Sequence, residues 1–64
     1  FNYEELDELI DICVNLGIDE ENIYMMLDYG LEMEEIEYLA QDTNLFHECL
    51  KTIKNLEGSN YNYN

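Results

Sequence analysis

Proline and arginine are absent from this 64-residue chain, and its only bases are Lys51 and Lys54. Without proline, nothing in the sequence removes a backbone donor or fixes φ inside a helix, so glycines and polar caps must set the helix ends. Two cysteines, Cys13 and Cys49, are too few for a disulfide framework, and their spacing is not that of a zinc finger. Both fall on apolar helical stripes and are expected as buried free thiols, which places the chain in a reducing, cytoplasmic compartment. No apolar run approaches the roughly 20 residues needed to span a membrane. No secretory leader pattern is present either. A chain this short buries only about 60% of its unfolded surface. With no staple, its stability rests on a small apolar core.

What the chain has in excess is acid. Fourteen of its sixteen Asp and Glu residues fall between Glu4 and Asp42, in a stretch with no Lys or Arg, and the formal net charge is −14. Like charge at that density works against compaction. It argues against direct binding to DNA, RNA or an anionic membrane and points to a protein partner with a basic surface.

The charge does not imply disorder, because the apolar residues are patterned. Tyr3, Leu6, Leu9, Ile10, Cys13, Val14 and Leu16 share one stripe at about 100° per residue, which predicts a first helix over 3–16. Asn2 is its expected N-cap, with Glu5 completing a capping-box-like pair, and Gly17 its stop. A second helix is predicted from Glu20 to Asp28, capped by Asp19 and ended by Gly30, with Ile23, Met26 and Leu27 inward. A third is predicted over 33–41, with Met33, Ile36, Leu39 and Ala40 inward. A fourth is predicted over 44–56, capped by Asp42 or Thr43, with Phe46, Cys49, Leu50, Ile53 and Leu56 on one face. The fold class expected is therefore all-α: a compact bundle of three to four short helices over residues 1–57. Its core is expected to hold Leu6, Leu9, Ile10, Cys13, Ile23, Met26, Leu27, Ile36, Leu39, Phe46, Leu50 and Ile53. Residues 58–64, polar and aperiodic, are expected as a disordered tail. Residues 18–23 are echoed weakly by 31–36, at an offset of 13.

Residues 22–41 resemble a helix-turn-helix unit, with Gly30 at the turn and Met25, Tyr29, Leu31, Ile36 and Leu39 at apolar positions. That resemblance implies two crossed central helices. Charge sets what such a pair can do. A DNA reader needs Lys and Arg on its second helix, whereas here that helix carries Glu34, Glu35 and Glu37, preceded by Glu32. Laid out as helix, residues 4–42 would span roughly 58 Å. Fourteen acids over that length give one per roughly 4 Å, against one phosphate per ~3.4 Å of a DNA strand. In this the chain resembles the small acidic DNA-mimic inhibitors of phages and plasmids. The resemblance implies a non-enzymatic module that occupies the basic, nucleic-acid-binding surface of a partner. The partner-binding residues it implies are Glu4, Glu5, Glu8 and Asp11 on the first helix and Glu34, Glu35 and Glu37 on the third.

A different reading starts from apolar residues on the outer faces. Tyr24, Met25 and Tyr38 lie off the inner stripes and are residue types favoured at interfaces. They would serve an adaptor or oligomerisation domain, with homodimers through the fourth helix left open. The Leu16-Gly17-Ile18 junction resembles the loop of ubiquitin-associated three-helix modules, with Leu16 and Ile18 in place of the usual methionine and aromatic residue. An acidic regulatory domain masking the basic surface of a larger protein is a further alternative. Catalysis finds no support: His47 is the only histidine and is expected on the surface, and no nucleophile has a recognisable partner. No cofactor or metal is expected, since the Asp/Asn-rich calcium loop is missing.

Overall fold

The computed structural model describes the backbone of residues 1–61 and the side chains of residues 1–58. The described residues form an all-α bundle: α1 (Tyr3–Asn15), α2 (Glu20–Tyr29), α3 (Met33–Ala40) and α4 (Thr43–Tyr61).

The first two helix ends are built alike. Gly17 takes φ 87° and Gly30 takes φ 124°, a region that disfavours side chains. After α1, the Ile18 N–H donates to the Cys13 carbonyl (2.9 Å) and the Gly17 N–H to that of Val14 (3.0 Å). After α2, the Leu31 N–H donates to Met26 (3.0 Å) and the Gly30 N–H to Leu27 (3.1 Å). Each is a Schellman stop, in which the residue after the glycine folds back over the helix end. Ile18 is thereby buried against the core and Leu31 is half-buried beside it. The offset-13 echo now has a physical basis, because Cys13, Gly17, Ile18 and Ile23 correspond to Met26, Gly30, Leu31 and Ile36.

The helix starts are capped in different ways. Asn2 Oδ1 accepts the Glu5 N–H at 3.1 Å. Asp19 occupies the expected N-cap of α2, but its side chain makes no capping bond. At α3 the cap is Glu32, whose own N–H donates to Glu35 Oε1 at 2.8 Å. Asp42 caps α4, with Oδ1 accepting the Leu45 N–H at 3.2 Å.

The bundle is centred on α2 and α3, which are joined by the Gly30–Glu32 turn of the helix-turn-helix-like pair. Both pack against α1 and against α4, and among the described residues no Cα of α1 comes within 8 Å of one of α4. The core holds Leu6, Leu9, Cys13, Ile18, Ile23, Met26, Ile36, Ala40, Phe46, Leu50 and Ile53. Of the core residues read from the sequence, Ile10, Leu27 and Leu39 lie at its half-buried edge.

Three residues assigned to the inner stripe of α1 are exposed: Tyr3, Val14 and Leu16. The stripe is wider than the face of α1 that is buried, which holds Leu6, Leu9 and Cys13. Leu56, expected on the inner face of α4, is likewise exposed. That helix also differs in length, running through Gly58 to Tyr61 where a stop had been expected. Gly58 sits in helical backbone with no positive φ. Inside a helix a glycine costs about 1 kcal/mol relative to Ala and does not by itself end it. Residues 62–64 of the segment read as a tail lie outside the described residues.

Candidate interaction surface

All seven candidate acids, Glu4, Glu5, Glu8, Asp11, Glu34, Glu35 and Glu37, are exposed. The reason lies in the register of the helices. Leu6, Leu9 and Cys13 point α1 inward, and Ile36 and Ala40 do the same for α3. The carboxylates between them are carried outward at helical spacing.

Packing of α1 on α3 brings part of the set together. A narrow groove of about 190 Å³ runs between the two helices, floored by Leu9, Ile12 and Met33 and lined by Glu5, Glu8 and Glu37. Glu5 also lines the adjoining concavity, with Glu32 and Glu34 on its other wall. Glu5 and Met33 line both concavities, Glu8 and Glu37 the first, and Glu32 and Glu34 the second. Glu4 and Asp11 line neither concavity. The Glu35 carboxylate is engaged by the capping bond from Glu32. Glu32 itself stood outside the set of acids chosen from the sequence. It is the N-cap of α3, two residues after the turn glycine.

Composition leaves this surface largely uncompensated, since sixteen acids face two lysines. Lys51 and Lys54 both lie on α4, and neither lines the concavities that hold Glu5, Glu8, Glu32, Glu34 and Glu37. The field of the seam reaches inward as well. Burial raises the Cys13 thiol above its usual range, and the Glu37 carboxylate adds to that shift.

The expected apolar patch of Tyr24, Met25 and Tyr38 is not one patch. Met25 is half-buried against the core. Tyr24 and Met25 line a concavity on the α2 side, among Glu21, Asp28 and Glu57. The Tyr24 hydroxyl donates to Glu20 Oε2 at 2.8 Å. That bond, then burial, then the charges of Glu20 and Asp7 raise the Tyr24 phenol above its usual range. Tyr38 is 74% exposed and lies elsewhere, beside a groove between α3 and α4 that sequence periodicity did not reveal. The walls of that groove come from two helices that meet only in the fold.

The His47 Nδ1–H donates to the Thr43 carbonyl at 2.7 Å, a bond within its own helix. Cys13 is a buried free thiol and Cys49 a half-buried one. Among the described residues no group of three or more His, Cys, Asp or Glu is arranged to hold a metal ion. No helix among them is long and apolar enough to cross a membrane. No protein-family model, curated protein or solved structure matches the chain.

Proposed function

We propose that the chain is a non-enzymatic protein-interaction module that presents a rigid acidic surface to a basic partner, and that the partner is a nucleic-acid-binding protein whose ligand it displaces. The observation that carries the reading is the α1–α3 seam, where Glu5, Glu8 and Glu37 converge on one groove with no base among its lining residues. Bringing like charges together costs free energy: at ~4 Å two unit charges repel by ~1 kcal/mol even in water. A surface assembled against that cost is suited to Lys and Arg on a partner, where it raises the association rate and fixes register. Carboxylates on α3 also argue against a direct DNA-reading role for the α2–α3 pair. Its second helix presents Glu34, Glu35 and Glu37 where phosphate-neutralising bases would be required.

The test is competition. Partners are captured from an extract of the source cells on the immobilised chain, and duplex DNA or RNA is added in excess. Release of the captured protein by nucleic acid supports the mimic. Retention of every captured protein at saturating nucleic acid refutes it.

A second reading is favoured by the α1–α2 junction. Leu16 is 48% exposed beside Gly17, so one aliphatic side chain is presented on a tight loop, while Ile18 is buried. This supports an adaptor similar to ubiquitin-associated modules, which would bind through apolar contact. Titration with ubiquitin, read by NMR shifts at Leu16 and Gly17, separates the two readings, and an absence of shifts removes this one.

A further inference from the structure

The groove between α3 and α4 differs in character from the acidic seam. It encloses about 590 Å³ and is lined by Leu31, Tyr38, Leu39 and Cys49, with Glu32, Glu34 and Glu35 along its α3 edge. An apolar floor beside a one-sided acidic edge is not finished by water alone. On α4 the apolar strip continues past Cys49: Leu45 and Leu56 are both about half exposed. With Thr52 they fall at i, i+4, i+7 and i+11, on one side of the helix.

The two lysines do not neutralise this edge. At about 100° per residue, Lys51 and Lys54 point about 140–160° away from Cys49 around α4. The groove thus offers an apolar trough with negative charge on one bank. A second copy of this chain is a poor occupant, since it brings a further net charge of −14 and only two bases.

We infer that the α3–α4 groove takes a cationic amphipathic helix from the partner, with aliphatic side chains on Leu31, Leu39 and Cys49, and Lys or Arg against Glu32 and Glu34. Tyr38 closes over the aliphatic face. The inference rests on the acidic-module reading and adds to it an anchoring site and a partner chemistry. Apolar anchors set residence time, while the surrounding acids set encounter rate.

The probe is a synthetic peptide of about 18 residues, with leucine at i, i+3, i+4 and i+7 and lysine elsewhere, compared with a peptide of the same composition whose leucines are scrambled off that face. Affinities are read by fluorescence anisotropy at about 0.15 M salt. Protection of the Cys49 thiol from alkylation is read in parallel, Cys13 being buried. The patterned peptide should bind at least about tenfold more tightly than the scrambled one and protect Cys49. The exposed-site variant Tyr38→Ser should erase most of that preference. Equal affinity of the two peptides, or a preference with Cys49 unprotected, overturns the groove and leaves the acidic reading standing. Failure of both peptides to bind overturns the acidic reading as well. Sedimentation showing a dimer in which Cys49 is protected without peptide would give the groove to a second copy instead.

Discussion

Reversing charge at the α1–α3 seam should destroy partner binding without harming the fold. The variant is Glu5→Lys, Glu8→Lys and Glu37→Lys. All three side chains are exposed and line one groove. Each reversal moves the net charge by two units, so the triple variant lies at −8 instead of −14. An exposed ion pair contributes about 0.2–1 kcal/mol, and reversal replaces that attraction with repulsion of similar size. About 1 kcal/mol per position gives about 3 kcal/mol in all, or roughly 100-fold in Kd. The control is Asp7→Lys, Glu21→Lys and Asp28→Lys, which carries the same net charge. Those acids are exposed on the α2 side, where Asp7 acts on Tyr24 and the other two line its concavity. Isothermal titration of the captured partner at about 0.15 M salt measures both variants, and circular dichroism checks that each is folded. The seam variant should lose about 100-fold and the control no more than about fivefold. Equal losses in the two would refute a located face and leave only a net-charge effect.

Further outcomes follow from the fold. Phe46 is fully buried, so Phe46→Ala should cost about 3–5 kcal/mol, much of the roughly 3–10 kcal/mol expected for 64 residues; urea titration should find the variant largely unfolded at 37 °C. Two glycines should respond with opposite sign. Gly30→Ala forces a side chain into φ 124° and should destabilise by about 1–3 kcal/mol, while Gly58→Ala, with open space around its Cβ, should stabilise by about 0.5–1 kcal/mol. Cys13 and Tyr24 both have folded-state values raised above their ordinary ones, Cys13 chiefly by burial and Tyr24 chiefly by its bond to Glu20. Their contribution is complete below the unfolded thiol value of about 8.5 and is lost as pH rises through the folded values. Melting temperature should therefore fall at alkaline pH, and Cys13→Ala should remove part of that fall.

Much of the architecture is legible in local pattern. Gly17 and Gly30 mark the ends of α1 and α2 because each stop needs a positive φ. The periodicity of Leu6, Leu9 and Cys13, and of Phe46, Leu50 and Ile53, marks the inward faces. What pattern could not supply is which neighbour covers which flank. Tyr3 and Val14 read as inward and stand exposed, because the buried face of α1 is only as wide as Leu6, Leu9 and Cys13. Ile18 is buried although it lies outside every helix, since the Schellman bond to Cys13 folds it back. The acids were readable one helix at a time. Their convergence was not, because Glu5 and Glu37 meet only when α1 packs on α3. Tyr24 and Tyr38, grouped by composition, are separated by the fold into different concavities.

On the proposed reading an ordered acidic face drives encounter with a basic partner, and apolar contact sets only the residence time. Its most direct measurement is the Kd of the captured partner between about 50 and 200 mM salt. Kd should weaken at least about tenfold across that range, mainly through a slower association rate. A Kd that stays constant within about twofold would contradict it and return the function to the apolar surfaces.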